Sequence, residues 1–202
     1  MTIEHSALTG GQLHEPKGVA SANANDFGFA SSSAISWGKL IGSSTATASA
    51  SSELEFTNLG DYLMVRLTFV NLRRATSSTT LRLSLSTNNG SSYTSSSVYG
   101  TRWMDAGGAA SDEAASFNLS GDNTLLYNTG VVCLYNLGTV QETSMQGHMI
   151  CSSSTGGGGT ASGQYIVGIF QTSAAVDALK VTSSSGNLTS GSVYLEGFKG
   201  GA

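Results

Sequence analysis

Proline, cysteine and charged residues are all scarce in this chain of 202 residues. Charged residues make up 11% of it, whereas ordinary globular domains carry roughly 25%. The nine lysines and arginines are thinly spread and the net charge is −4, so there is no basic stripe and we expect no direct binding to nucleic acid. Hydrophobic residues still reach 39% and occur in coherent short runs, which favours a folded chain over a disordered one.

Long apolar runs and a targeting signal are also lacking. No run approaches the roughly 18 residues of a membrane helix, so we expect no membrane insertion. The first residues, "MTIEHSALTGG", lack the basic start and apolar stretch of a secretory signal, which predicts synthesis in a cytoplasm. Two cysteines are too few for a disulfide framework. Cys133 and Cys151 both lie in apolar runs, and they are either buried free thiols or a single bridge between neighbouring strands.

The chain divides near residue 50. Residues 1–50 are small and polar, and "GKLIGSSTATASASS" ends this arm as a Ser/Ala/Thr linker with too little apolar surface for a core. One stretch inside it, Ala34–Gly42, has the composition of a strand, and Trp37 could dock that strand. We therefore divide the chain into an arm with its linker, residues 1–50, and a folded domain, residues 51–202.

After residue 50 the apolar residues recur with period two, which is the periodicity of strands. Leu81, Leu83 and Leu85 alternate with Arg82 and Ser84, the pattern of a half-buried strand. No segment has a sustained helical stripe, and "GGAASDEAAS" comes nearest to one. Some nine or ten strands separated by turns predict an all-β fold, an antiparallel β-sandwich of jelly-roll type with an extended N-terminal arm. The predicted strands of the domain are 53–56, 62–70, 80–86, 98–103, 116–119, 131–137, 145–151, 164–170, 178–182 and 192–198.

One turn resembles a known motif. "STNNGSSY" places Ser86, Asn88, Gly90 and Tyr93 in the pattern of the Asp-box, Ser-x-Asp-x-Gly-x-x-Trp, with Asn and Tyr in place of Asp and Trp. The Asn-Gly pair supplies the positive φ angles of a tight hairpin turn. The Asn88 side chain can bond backbone amides across the turn, and the Tyr93 ring can pack beneath it. We interpret the motif as a structural hairpin and not as a catalytic site.

The sequence offers little for catalysis. It has three histidines and no Gly-x-Ser-x-Gly elbow. His148 and Cys151 lie three apart in a predicted strand, so they point to opposite faces and cannot share a metal. Glu53 and Glu55 share one strand face; paired carboxylates can hydrolyse glycosides, but the solvent side of a strand explains them equally well. We expect no enzyme activity, no metal and no cofactor.

The only proline lies in the arm, within "LHEPKG". Pro16 fixes its own φ and holds Glu15 extended, and Gly18 lets the backbone turn or approach another surface. A stiff kink flanked by His14, Glu15 and Lys17 suits an arm that binds a neighbour through its backbone and through pockets. These five residues are our candidates for the attachment site; the alternative is a disordered tail.

A family resemblance fits this interpretation. "HSALTGGQLHEPKGVASA" resembles a segment that recurs in structural proteins of tailed bacteriophages and prophages. The strand pair "LMVRLTFVNLRRAT" and "LRLSLSTNNGSSY" is similar to phage β-sandwich modules. The resemblance implies a virion component that attaches through its arm to other virion proteins, the major capsid protein or tail proteins. It also implies a homotrimer, in which Arg66, Arg73, Arg74 and Arg102 could pair with carboxylates across subunits.

Two places on a virion fit such a chain. We favour a capsid decoration, or cement, protein, because the chain is short and lacks the heptad or β-helical shaft of a fibre. The alternative is a tail-fibre or receptor-binding module that contacts the host surface or a glycan on it. Sugar-binding modules place aromatic rings beside polar loops, and Tyr93, Tyr99 and Trp103 are the candidates for that role; the alternative for at least two of them is packing in the core. A glycan depolymerase is a third alternative.

Overall fold

The fold is an all-β antiparallel sandwich, as predicted. A computed structural model describes residues 39–45, 52–94, 99–105, 108–120, 125–153 and 160–199, and within these ranges there is no helix. The side chains of residues 39–45, 102–105 and 108–114 lie outside the described part. The strands are β1 (Lys39–Thr45), β2 (Glu53–Phe56), β3 (Met64–Arg74), β4 (Leu81–Ser86), β5 (Tyr99–Asp105), β6 (Gly108–Ala114), β7 (Phe117–Asn118), β8 (Tyr127–Tyr135), β9 (Thr143–Ser152), β10 (Ala161–Phe170), β11 (Ala178–Ser183) and β12 (Leu188–Phe198).

The two sheets differ in width. The larger has eight strands in the order β1-β12-β3-β8-β9-β10-β5-β6, and the smaller has four in the order β2-β11-β4-β7. Several antiparallel pairs are nested along the chain: β3 pairs with β12, β4 with β11, β5 with β10, and β8 with β9. Nested pairing brings the two halves of the chain together, while the jelly-roll type itself stays a prediction.

The core lies between the sheets and follows the period-two pattern. Val65, Leu67 and Phe69 of β3 are fully buried, and so are the three alternating leucines of β4. Tyr99 joins them from β5, with its ring 5.0 Å from Phe117 and 4.6 Å from Phe170, centroid to centroid. Because strand residues alternate between faces, the other half of each strand of the large sheet points away from this core.

The sequence analysis misplaced some strands. β1 overlaps the candidate strand Ala34–Gly42 at residues 39–42 but continues into the segment predicted as a linker; it pairs with β12, so the large sheet begins before residue 50. β6 falls in "GGAASDEAAS", the segment closest to a helical pattern, and it pairs along its length with β5 at the sheet edge. β8 begins at Tyr127, four positions before the predicted start. These segments are small and polar, so pairing with a neighbouring strand, and not their own periodicity, makes them strands.

Both cysteines are free, which settles the alternative of an internal bridge. They lie on the neighbouring strands β8 and β9, but Cys133 is opposite Gln146 and Cys151 is opposite Asn128. Five positions of strand separate them, roughly 17 Å, whereas a disulfide needs Cα atoms within about 7 Å. Cys151 is buried in the core and Cys133 is half-buried on the other face, so the prediction of two buried thiols holds only for Cys151.

Candidate functional site

The outward side of the eight-stranded sheet carries an unusual number of exposed apolar side chains. Between 37% and 46% of the surface of each remains exposed. Soluble monomers rarely expose a contiguous apolar patch of more than a few hundred Å². We call this surface the outer apolar face, and it consists of Val70, Val131, Ile150, Tyr165, Val167, Ile169 and Tyr194.

Strand register places these residues in rows across the sheet. In one row, Tyr194 of β12 lies opposite Thr68 of β3, which lies opposite Val131 of β8. Val131 lies opposite His148 of β9, which lies opposite Tyr165 of β10. His148 is exposed, and its ring makes no hydrogen bond to another described residue, in a row that is otherwise mostly apolar and aromatic.

The next row carries two charged side chains that pair with each other. Arg66 forms an ion pair and a hydrogen bond with Glu196, which lies opposite it on β12. The hydrogen bond to Glu196 raises the pKa of the Arg66 guanidinium. Beyond this pair the row continues with Cys133, Gln146 and Val167, and then with Arg102 of β5, whose side chain lies outside the described residues. The face therefore combines apolar side chains with the ion pair of Arg66 and Glu196.

Three of the arginines predicted to pair across subunits have contacts within the chain; burial excludes such pairing for Arg74, and for Arg66 and Arg73 it stays a prediction. Arg66 pairs with Glu196, as described. Arg74 is fully buried, and its Nη2 donates a hydrogen bond to the carbonyl oxygen of Leu125. Arg73 stacks its guanidinium 5.5 Å from the centre of the Tyr127 ring. The side chain of the fourth, Arg102, lies outside the described residues.

The Asp-box-like turn is held together by the contacts that its residue types allow. The Ser86 hydroxyl accepts hydrogen bonds from the N–H groups of Asn88 (3.2 Å) and Gly90 (3.0 Å). Asn88 Oδ1 accepts the N–H of Ser92 at 2.9 Å, the backbone bond predicted for this side chain. Asn89 and Gly90 have φ angles of 54° and 84°, the positive values expected of an Asn-Gly turn. These hydrogen bonds between side chains and backbone therefore hold the turn closed.

The turn is not a strand hairpin, contrary to the prediction. β4 precedes it in the small sheet and β5 follows in the large sheet, so the segment crosses from one sheet to the other. One backbone bond from Thr94 N to Leu85 O closes its base. Asn89 fastens it to neighbouring loops, donating its N–H to Asp177 Oδ1 and accepting the N–H of Asn58, both at 2.7 Å. Its role is to join the two sheets at one end of the sandwich.

The two glutamates considered for glycoside hydrolysis are each bound by another side chain. Tyr93 donates its hydroxyl hydrogen to Glu55 at 2.5 Å, and Lys180 pairs with Glu53 at 2.8 Å. The Lys180 ammonium also lies 4.4 Å from the centre of the Tyr93 ring. Burial, together with the bond to Glu55, raises the pKa of Tyr93. These contacts explain the glutamates as surface partners that hold Tyr93 beside the turn.

Tyr99 is not a surface residue, so its predicted contact with a host is wrong. It is fully buried between the sheets, and its hydroxyl accepts the N–H of Leu85 at 2.8 Å. Trp103 lies on β5 opposite Ile166, and its side chain is outside the described residues. Tyr93, the remaining predicted contact, is half-buried, so part of its side chain is accessible to a ligand.

An open groove lies at the end of the sheet where β8 turns into β9. Its volume is about 560 Å³. Amide, carboxylate and hydroxyl groups line it beside apolar carbon, a mixture that sequence reasoning did not predict because the residues come from three separate loops and strands. The lining residues are Asn136, Val140, Gln141, Glu142, Ser144, Ile169, Thr172 and Ser173.

The remaining predicted site residues, His14, Glu15, Pro16, Lys17 and Gly18, lie outside the described part of the chain. Where residues are described, no three His, Cys, Asp or Glu side chains gather as a metal site would require. The same residues include no helix of the length and hydrophobicity needed to cross a membrane. In comparisons with known proteins, no family model, no curated protein and no solved structure matches the chain at a significant level.

Proposed function

We propose that this chain is a non-enzymatic structural protein of a bacteriophage virion, most specifically a capsid decoration protein that forms trimers and attaches through its N-terminal arm. It is made in the bacterial host and ends in the particle. Its partners are other virion proteins, the major capsid protein first among them, and further copies of itself. Nucleic acid, membrane and cofactors have no part in this role.

The observation that carries the proposal is the outer apolar face. It extends over strands β3, β8, β9, β10 and β12, and two of its described charged side chains, Arg66 and Glu196, pair with each other. A broad, mostly apolar surface on a sheet suits association with protein, whereas catalysis requires a recessed group of titratable side chains. The resemblance of residues 5–22 to phage structural proteins supports the assignment of this assembly to a virion.

Deleting Thr2–Ala22 tests the attachment. We expect the shortened chain to remain folded and oligomeric but to lose binding to virions or expanded capsids that lack this protein, measured by co-sedimentation. A chain with the same residues 2–22 in scrambled order is the matched control for length and composition, and it should fail likewise. Full occupancy of particles by the shortened chain would exclude the arm as the anchor.

Substitutions within the arm refine this test. His14→Ala and Glu15→Ala should weaken particle binding if these side chains fill pockets. Pro16→Ala should weaken it less, because its main effect is to restore freedom to the unbound arm, worth about 0.4–1 kcal/mol. Binding to purified tails but not to tailless capsids would move the protein from the capsid to the tail.

The groove at the β8–β9 turn favours a second candidate function, a module that contacts host-surface glycan. Sugars are bound by convergent amide, carboxylate and hydroxyl groups beside apolar carbon, and the groove supplies all of these. A glycan array with the full chain tests this function. This function is supported if glycan binding is lost in Glu142→Gln and unchanged in Glu53→Gln, a control on the small sheet. If the array shows no binding, the decoration role is the only proposed function that remains.

A further inference from the structure

The turn from Ser86 to Tyr93 contains the only Asn-Gly pair of the sequence, Asn89–Gly90. An asparagine that precedes glycine is especially prone to lose its side-chain amide, because glycine has no Cβ to hinder attack by its own backbone nitrogen. We propose that Asn89 is a site of spontaneous deamidation, and that the folded turn holds it in an unreactive conformation through Ser86 and Asn58. The inference goes beyond the proposed function and does not depend on it.

The reaction takes place between two neighbouring groups of the chain, so no second molecule has to be brought into position. The Gly90 backbone nitrogen attacks Cγ of Asn89 and loses its proton as the new C–N bond forms. The bond from Cγ to the side-chain nitrogen breaks, and ammonia leaves. Water then opens the succinimide ring at either of its carbonyl carbons, which gives aspartate or isoaspartate. Water is the only reactant that comes from outside the chain.

In the folded chain the attacking nitrogen is already engaged. Gly90 N donates its hydrogen to the Ser86 hydroxyl oxygen at 3.0 Å. The same oxygen accepts the N–H of Asn88 at 3.2 Å, so the backbone of the turn is gathered around one buried hydroxyl. The attack requires the nitrogen to give up its hydrogen, and this breaks a bond that water cannot easily replace at a buried serine.

The side-chain amide of Asn89 is held as well. Its Oδ1 accepts the N–H of Asn58 at 2.7 Å, and its Nδ2 donates to Asn58 Oδ1 at 3.2 Å. Attack needs the two reacting atoms close together and aligned, and rotation of the amide towards Gly90 N breaks both of these bonds. Asn89 is nevertheless exposed, so water can reach the ring once it forms. The fold therefore limits the conformation of Asn89 and not its access to water.

Deamidation adds a negative charge where two carboxylates already lie. Asp177 Oδ1 accepts the backbone N–H of Asn89 at 2.7 Å, and Glu55 Oε1 is the nearest atom to a Cβ built on Gly90. A carboxylate at position 89 can no longer donate to Asn58 Oδ1, and isoaspartate also lengthens the backbone of the turn. Because the turn joins the two sheets, we expect the product to be less stable. The change is one-way, so it accumulates in any assembly whose subunits are not replaced.

Ageing of the full-length chain in mildly alkaline buffer tests the inference, with and without enough guanidinium chloride to unfold it. Mass spectrometry of the peptide that contains residue 89 measures the rate and separates aspartate from isoaspartate. We expect both products, and a rate at Asn89 at least about 10-fold higher in the unfolded chain, because the native reaction must wait for a local opening of the turn.

Ser86→Ala removes the acceptor of the Gly90 N–H. In native buffer this variant should deamidate roughly 3- to 10-fold faster at Asn89 than the wild type, the factor expected for the loss of one hydrogen bond. Ser120→Ala is the matched control, because Ser120 is also buried and its hydroxyl accepts the N–H of Leu81 at 2.9 Å, at the other end of β4. It should leave the rate at Asn89 unchanged.

A second pair of variants tests the inference if Ser86→Ala fails to fold. Asn58→Gly keeps a residue that accepts the φ of 60° and removes the side-chain acceptor of Asn89 Nδ2, so it should also raise the rate. Asn71→Gly is its control: Asn71 has a φ of 49°, and its Oδ1 accepts a bond from the Thr129 hydroxyl, away from the turn. This control should not change the rate at Asn89.

Four results would overturn the inference or a part of it. Equal rates in the native and the unfolded wild type would show that the turn does not protect Asn89. An unfolded chain that stays intact at Asn89 would exclude the site. Equal acceleration by Ser86→Ala and Ser120→Ala would assign the protection to global stability and not to the turn. Aspartate without isoaspartate would replace the attack by Gly90 N with direct hydrolysis of the side chain.

Discussion

At the scale of single residues, Tyr99 shows how burial changes the role of an aromatic side chain. Its ring packs on Phe117 and Phe170, and its hydroxyl accepts the N–H of Leu85 and donates to the carbonyl oxygen of the same residue at 3.3 Å. The hydroxyl thereby satisfies backbone groups of β4 from the opposite sheet. Burial raises the pKa of Tyr99 to about 12, against the bond to the Leu85 backbone, which lowers it.

This pKa predicts a loss of stability in alkali. Because the folded-state pKa is raised, the contribution of Tyr99 is fully present below pH ~10, the value of free tyrosine, and is lost as the pH rises towards 12. A shift of two units corresponds to about 3 kcal/mol. Urea unfolding between pH 8 and 12 should show this decline in the free energy of unfolding.

Tyr99→Phe identifies the source of the decline. At pH 8 the variant should be less stable by about 1–3 kcal/mol, because the N–H of Leu85 loses its acceptor in the core. Above pH 10 its stability should fall less steeply than that of the wild type. The raised pKa of Tyr93 acts in the same direction in both proteins and cancels from the comparison. Equal slopes in the two proteins would show that Tyr99 does not titrate in this range.

At the scale of elements, the turn from Ser86 to Tyr93 depends on its glycine. Gly90 has a φ of +84°, a conformation that L side chains rarely adopt. A Cβ built there would also lie 2.6 Å from Glu55 Oε1, the atom that accepts the Tyr93 hydroxyl bond. One methyl group would thus disturb both the backbone of the turn and the contact that fastens it to β2.

Gly90→Ala should therefore lower the free energy of unfolding by about 1 kcal/mol or more. For a chain of this length, each such kcal/mol corresponds to a fall in Tm of roughly 2–4 °C. Gly60→Ala is the matched control: its Cβ would make an ordinary 3.6 Å contact with Asp177, and no positive φ is involved. Calorimetry on both variants measures the difference, and equal Tm values would contradict a special role for Gly90.

At the scale of the whole molecule, the two sheets expose different surfaces. The small sheet turns charged side chains outward, with Lys180 pairing Glu53. The large sheet turns valine, isoleucine and tyrosine outward, and it has two edges, β1 and β6. Unpaired edges and exposed apolar faces both favour association, and a closed oligomer covers them.

Light scattering of the purified full-length chain should give a mass of about three times 20.6 kDa at micromolar concentration. The physical reason is the burial of the outer apolar face, and the number three comes from the resemblance to phage proteins. The expected mass should also hold at high salt, because burial of apolar side chains does not depend on screened charges. A mass that falls towards the monomer as salt is added would point to a charged interface elsewhere.

The sequence by itself determined the features that depend on near neighbours along the chain. Alternation of leucine with polar residues marked β4 because a strand has a period of two. The turn at residues 86–93 was predictable because serine and asparagine side chains bond backbone groups only a few positions away, and glycine allows a positive φ. The all-β class followed from many such alternating runs.

Tertiary structure alone decided what depends on distant partners. β6 is a strand because β5 lies beside it, and the turn joins two sheets because β4 and β5 pair with different partners. In the sequence, "YIVGIF" of β10 is a single apolar run. Which of its residues are buried depends on the small sheet that packs against one face of the strand. Register and packing join residues far apart in the chain, and a single sequence does not encode those pairings in any local pattern.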